Sequence, residues 1–299
     1  MSTTNATSET PVNPLTPLAF LPPDIAVQLE NTRLVMMTCI GAFIWEFLSS
    51  CRNEYRMWKT LNFRMTDVIY VLSRSLTFTT LILSFLIIVH PFGKCQIVMT
   101  TITWLTAIVP ALNCLFFVFR ATAVYYPVKL AVKSFWLLWI VTTIMILAAA
   151  GSVPTGGSLI NLGPFALCLP LSTPKFATSG IISSAVHDTL VWVAVSWRLL
   201  SSSGLGPTYF KSLLRGRRGM GRVTRTLFMS GQLYYFVAVS ANIATVIVMF
   251  LPGFPQSYRA TAQIVNTTIQ NLFACQAYRQ LKLGLIRDGT VISLTMRDI

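Results

Sequence analysis

The sequence predicts an all-α fold: a seven-transmembrane helix bundle with its N-terminus outside and its C-terminus in the cytosol. Three observations predict it. Of the 299 residues, 54% are apolar and only 11% are charged, against about 25% charged in an ordinary soluble domain; mean hydropathy is +0.65. Seven stretches are apolar over the ~20 residues that a helix needs to cross ~30 Å of hydrocarbon. The 23 Lys and Arg residues gather on one side of those stretches. So few charges would not cover a soluble enzyme of this length, and so apolar a chain would not stay disordered.

Residues 1–32 read as a polar outer tail rich in Thr, Asn and Pro. They lack a basic stretch followed by an apolar one, so no cleaved signal peptide is expected and the first helix serves as the insertion signal. Residues 33–285 form the membrane domain, with spans expected at 34–50, 68–89, 97–119, 135–153, 179–200, 227–251 and 260–278. Residues 286–299 form a short cytosolic tail. The seventh stretch (ATAQIVNTTIQNLFACQAY) is polar, and inserts only if its polar face turns into a bundle. Pro91 and Gly93, Pro154 with Gly156 and Gly157, and Pro252 with Pro255 mark the breaks. No internal repeat or second domain is visible.

Segments 51–67, 120–134, 198–226 and 279–299 hold 18 of the basic residues, whereas Arg33, Lys94, Lys175 and Arg259 lie on the other side and Arg74 lies within a span. The basic side belongs in the cytosol. This accounts for the net charge of +14 without nucleic acid, and no nucleic-acid partner is expected. Asn5-Ala6-Thr7 is a glycosylation sequon on the outer tail. Asn266-Thr267-Thr268 also matches, but inside a span, where modification is not expected.

Cys39, Cys114 and Cys275 fall in spans and Cys51 at a cytosolic edge, as small buried apolar residues. Cys95 opens the third helix and Cys168 sits in the longest outer loop, the two on the oxidising side. A bridge between them would tie that loop over the mouth of the bundle; the alternative is two unpaired thiols, and Cα atoms within about 7 Å are required for the bridge.

Ionisable groups in lipid require partners. Glu46 and Arg74 lie on neighbouring antiparallel helices, both roughly 6–10 Å inside the inner boundary at 1.5 Å rise per residue. An ion pair is expected, as a structural clasp or as part of a proton or ion pathway. His187 and Asp188, Asn242 and Gln270 fall near the middles of the fifth, sixth and seventh helices. At matched depth they converge either as packing glue or as a polar cavity for a small ligand or ion, with Asp188 carrying the most functional weight.

With two histidines, the chain lacks the ligands of a membrane iron hydroxylase or of a three-histidine zinc hydrolase. It has no Lys in the seventh helix for a retinal Schiff base, no phosphate-binding loop and no nucleophile elbow. No enzyme, cofactor or metal is expected. On the cytosolic side Arg215, Arg217, Arg218, Arg222 and Arg225, with Arg120 at the third helix end, would attract an anionic inner leaflet at about 1 kcal/mol per residue, or dock an acidic partner such as a G protein. RQLKLGLIRDG would make a poor amphipathic helix because of Gly284 and Gly289.

Seven helices, an outer N-terminus and the Cys95 and Cys168 positions are similar to the plan of G-protein-coupled receptors. Arg120, Ala123, Val124 and Pro127 in FRATAVYYPV resemble the third-helix end of rhodopsin-like members. Phe119 and Ala121 stand where those have Asp and Tyr, and the sixth-helix Pro and the seventh-helix Asn-Pro-x-x-Tyr are missing. Over about residues 40 to 285 the chain more closely resembles a family of basidiomycete fungal seven-helix integral membrane proteins whose N-terminal part is a domain of unknown function. WEFLSSCRNEYRMWK (Glu46, Glu54, Trp58), Arg74, FFVFRATAVYY, Cys168, HDTLVWVAVSWRLL (Asp188, Arg198), GQLYY (Gly231 to Tyr235) and NLFACQAYRQLKLG carry the likeness. Ser75 and Gln276 depart from it. The resemblance implies the architecture and brings no activity. The expected role is a receptor-like sensor in the plasma membrane or an endomembrane, coupling an unknown small ligand to the cytosolic face. The competing roles are a transporter or proton-coupled carrier using Glu46, Asp188 and His187, and a non-catalytic structural membrane protein. No inverted repeat or Gly/Pro-broken helix pair favours the carrier.

Overall fold

A computed structural model describes residues 22–60, 65–90, 95–153, 158–162, 165–169, 175–202 and 232–283. Among them are seven α-helices: α1 Pro23–Thr60, α2 Met65–Val89, α3 Cys95–Val124, α4 Lys129–Gly151, α5 Thr178–Ser202, α6 Gln232–Phe250 and α7 Gln256–Lys282. Successive helices pack side by side and α7 returns to α1, closing a ring. Two helices lie inside the ring's contacts: α3 touches α2, α4, α5 and α7, and α7 touches α1, α2, α3 and α6.

The fold is helical but not purely so. Ser158–Leu162 (β1) and Phe165–Leu169 (β2) form an antiparallel hairpin between α4 and α5, with Leu159 opposite Cys168. Its two runs, SLINL and FALCL, flank Gly163-Pro164, a turn signal between β-compatible stretches, so the expected long outer loop contains a strand pair. β2 lies against α2.

Helix ends reach beyond the apolar windows. α1 starts at Pro23 rather than near residue 34, so residues 23–32 belong to a helix and not to the tail. Pro at the first helical position wastes no donor, Asp24 complements the helix N-terminus, and Ile25 and Ala26 N–H donate to Pro22 O at 3.0 Å. With 38 residues at 1.5 Å each, α1 is about 57 Å long and protrudes from any bilayer. α4 begins at Lys129 and α7 at Gln256, ahead of their expected starts. The expected residues 227–231 of the sixth span lie outside the described residues.

α2, α3, α4, α1 over Pro23–Met57 and α6 over Leu233–Phe250 are long and apolar enough to cross a membrane. α5 and α7 do not reach that apolarity, because they carry the polar interior: Ser184, His187 and Asp188 on α5, and Thr261, Asn266, Thr267, Gln270 and Asn271 on α7 are all buried. Large apolar side chains point the other way. Trp45 is 74% exposed, Leu137 62% and Phe250 63%. This inverts the pattern of a water-soluble protein and is the arrangement expected of helices solvated by lipid.

Apolar packing is densest where α3 to α7 meet. Phe117, Val118, Val191, Val195, Tyr235, Val239 and Ala277 form one buried cluster, with Phe117 edge-on to Tyr235 at 4.5 Å. Trp139 of α4 donates to Ala111 O at 3.0 Å, next to the helix-interior Pro110. The α6–α7 turn uses Gly253 at φ +75°, where a side chain would be strained, and Arg259 Nη2 donates to Leu251 O at 2.8 Å. α4 and α5 approach closely at Gly180, where an added Cβ would lie 3.0 Å from Ala149 Cβ and 3.3 Å from Ile146 Cα. A Gly180→Val variant should therefore lower the melting temperature of the detergent-purified protein, with an overpacking cost of about 1–3 kcal/mol; an unchanged melting curve would show that α4 and α5 can separate freely there.

Candidate functional site

At the hairpin end of the bundle lies a half-open cavity of about 260 Å³. Its walls are mostly apolar: Leu29 and Met36 of α1, Ile87 and Ile88 of α2, Met99, Ile102 and Ala107 of α3, Ile146 and Ala149 of α4. Its polar groups cluster on α7 and α6, where Gln263, Asn266, Thr267, Gln270 and Asn242 line it. Two buried polar atoms on the lining, Asn266 Oδ1 and Ser84 Oγ, have no hydrogen-bond partner among the described residues.

Beneath this cavity the expected residues meet. Asn242 Nδ2 donates to Asp188 Oδ2 at 2.7 Å, Gln270 Nε2 donates to Asn242 Oδ1 and, at 3.3 Å, to Asp188 Oδ2, and Asn266 Nδ2 donates to Asn242 Oδ1 at 2.8 Å. His187 Nδ1 lies 2.9 Å from Asp188 Oδ1. His187, Asp188, Asn242 and Gln270 are each at most 1% exposed. The cavity itself is lined by Asn242 and Gln270 but not by His187 or Asp188; the latter form a layer under its floor. Helix depth alone placed all four at one level and did not distinguish floor from sub-floor.

A second cluster lay unseen in the sequence. Asn271 Nδ2 donates to Ser73 Oγ at 2.7 Å and to Asn113 Oδ1 at 3.0 Å, and Ser73 Oγ donates to Asn113 Oδ1 at 2.9 Å. It joins α2, α3 and α7. Asn271 follows Gln270 directly, and polar residues three or four apart on a helix share a face; the run 267, 270, 271, 274, 275, 278 on α7 was the signal.

Further from the cavity lies an ion network. Arg74 bonds Glu46 and Glu54, and Arg279 bonds Glu46 and lies 3.6 Å from Glu54. Tyr70 Oη sits at the centre, accepting from Arg74 Nη1 (2.6 Å) and Arg279 Nη1 (2.9 Å) and donating to Glu54 Oε1 (2.8 Å). Ser50 Oγ donates to Glu46 Oε1 at 2.9 Å. The Arg74 guanidinium lies 5.0 Å from the Phe47 ring, a cation–π contact. Tyr278 stacks on Tyr70 at 5.4 Å and donates to Asp67, which also pairs with Lys282. The expected Glu46 and Arg74 are thus two members of a larger set. Glu54 and Arg279 belong to it because α1 and α7 continue well past the apolar windows that suggested their ends.

Arg120 is buried, its guanidinium 4.7 Å from the Tyr235 ring of α6; its observed contact is with a helix of the bundle. Beyond α3, Tyr125 donates to Ala194 O at 2.8 Å; burial pushes its phenol above the usual range while the nearby Arg198 guanidinium opposes that shift. Arg215, Arg217, Arg218, Arg222, Arg225 and Asn5 lie outside the described residues. Cys95 is disulfide-bonded, Cys39, Cys51, Cys114 and Cys275 are free thiols, and the side chain of Cys168 lies outside the described ones.

Replacing Arg74 by Leu would leave Glu46 and Glu54 with less than their full compensation. Breaking a buried pair from one side costs about 3–5 kcal/mol, so the variant should lose most of its thermal stability. Adding Glu46→Gln should restore part of that loss. Strictly additive melting shifts in this cycle would show that the two charges do not interact.

The chain matches no protein-family model, and no curated protein sequence is significantly similar to it.

Proposed function

We propose that this multi-pass membrane protein is a seven-span sensor that binds a small, largely apolar molecule in the α7-lined cavity and transmits its presence along α7. The observation that supports the reading best is the cavity itself: apolar walls, amide groups confined to one end, and those amides bonded to a buried carboxylate. Such a cavity suits a ligand of apolar body with one or two hydrogen-bonding groups. A donor on that ligand would complement the bare Asn266 Oδ1.

In this reading α5 and α7 cross the bilayer despite their polarity, because their polar faces turn inward. The N-terminus lies outside and the basic loops face the anionic inner leaflet, where a G protein or other acidic partner would dock. The likeness to the fungal seven-helix family is taken as shared architecture. Gln270 touches the cavity and Arg279 the ion network, two and a half turns apart on one rigid helix. A ligand that binds one helix packing more tightly than another shifts the population between them.

A carrier is the second reading, favoured by one observation: His187 and Asp188, fully buried and in contact, form a pair able to hold and release a proton.

Two experiments test these readings. Mild extraction followed by native mass spectrometry should find a small molecule retained by the wild-type protein, lost when Ala107→Trp fills the cavity, and held about tenfold more weakly by Asn266→Ala, as for one hydrogen bond. Retention by the filled variant sinks the cavity reading. In proteoliposomes with an internal pH dye, the carrier reading requires gradient-driven proton uptake that Asp188→Asn abolishes, whereas the sensor reading requires none from either protein. Orientation has its own check: protease added outside intact cells should spare the Arg215–Arg225 stretch and remove an N-terminal epitope.

A further inference from the structure

Cys114, His187 and Asp188 offer one sulfur, one nitrogen and one oxygen within 4.8 Å of one another, all fully buried. Among the described residues this is the one such trio of metal-ligating side chains. Two helices supply it, α3 and α5, at a level just under the cavity floor. Cys114 Sγ also lies 3.6 Å from Ser184 Oγ.

His187 Nδ1 lies 2.9 Å from Asp188 Oδ1. Its other ring nitrogen, Nε2, is buried and has no hydrogen-bond partner among the described residues, and His187 does not line the cavity. A buried imidazole nitrogen without a partner is costly, and imidazole, thiolate and carboxylate are the ligand types of a zinc site.

Charge balance points the same way. Asp188 is the one carboxylate of this layer among the described residues, and its hydrogen-bond donors from α6 and α7 are the uncharged amides of Asn242 and Gln270. A divalent ion with the Cys114 thiolate and the Asp188 carboxylate would make the layer electrically neutral. Thiolate with imidazole and carboxylate selects a borderline-soft ion over sodium, magnesium or calcium.

We propose that Cys114, His187 and Asp188 together bind one Zn²⁺ ion, which joins α3 to α5 beneath the cavity. Binding displaces the thiol proton of Cys114 to solvent. Because Asp188 also holds Asn242 and Gln270, the ion would link α3, α5, α6 and α7 at one point. The proposal does not depend on the sensor reading.

The test uses the full chain, purified in detergent without a polyhistidine tag, stripped with chelator, incubated with Zn²⁺ and desalted. Elemental analysis should find one zinc per chain. Cys114→Ser and His187→Gln should each fall to background, and Cys39→Ser, with its thiol far away on α1, should keep the wild-type value. Background zinc in the wild-type protein, or wild-type zinc in both Cys114→Ser and His187→Gln, overturns the proposal. Should the variants not fold, the wild-type protein still decides it: Co²⁺ must give a thiolate-to-cobalt charge-transfer absorption, and Zn²⁺ must raise the melting temperature above that of the chelated protein. Absence of both effects overturns the site.

Discussion

The structure depends on keeping α7 out of lipid. Its inward residues Asn266, Gln270, Asn271, Cys275 and Arg279 form a polar stripe at four-residue spacing, with Gln270 beside Asn271, and hydrocarbon offers such groups no partners. Each must find one inside the bundle. α7 is accordingly walled by α1, α2, α3 and α6, and each wall supplies a complement at the right level: Asn242 of α6 for Gln270, Ser73 of α2 and Asn113 of α3 for Asn271, Glu46 of α1 for Arg279. The stripe thereby sets both the ring closure and the register of the helices around it.

Interhelical hydrogen bonds in membranes average about 0.6 kcal/mol and reach about 1.7, so the value of these contacts lies less in gross stability than in selecting one packing. A helix rotated by one residue, about 100°, would turn Gln270 away from Asn242 and expose it to lipid. Apolar ridges tolerate such slips better. The layers of α7 therefore act as register marks, as buried polar residues do in coiled coils, and the apolar cluster around Phe117 and Tyr235 fills the space they define.

Much of this was legible because rise per residue is constant. Counting along each span put Asp188, Asn242 and Gln270 at one depth, and Glu46 beside Arg74. Depth says nothing of azimuth, so Cys114, on α3, was read as a small apolar residue when it faces His187. The same blindness hid Ser73, Asn113 and Asn271, each unremarkable alone in a sequence and meaningful only when three helices bring them together. Arg279 counted with the cytosolic charges, and Glu54 entered only through the family likeness, because apolar windows underestimate helix length: α1 continues to Thr60 and α7 to Lys282. The hairpin escaped for a different reason, since ten residues of strand carry a weak signal beside seven long apolar stretches.

The two polar regions differ in how freely their charge can change. At the end away from the cavity, Glu46, Glu54 and Asp67 are matched by Arg74, Arg279 and Lys282. Adding or removing a proton there would break an existing balance, which makes the network a rigid anchor between α1, α2 and α7. The layer under the cavity is built otherwise. Asp188 is held by side-chain amides and an imidazole, groups that carry no fixed charge; amides exchange donor for acceptor by rotating, and an imidazole by changing tautomer. A group that entered the cavity and took the hydrogen bonds of Gln270 or Asn242 would remove donors from Asp188. Asn242 accepts from both Asn266 and Gln270 while donating to Asp188, so no cavity-side change at those amides leaves the carboxylate untouched. In the sensor reading proposed above, a response to ligand would begin at Asp188 and its amide partners, with the far network anchoring α7.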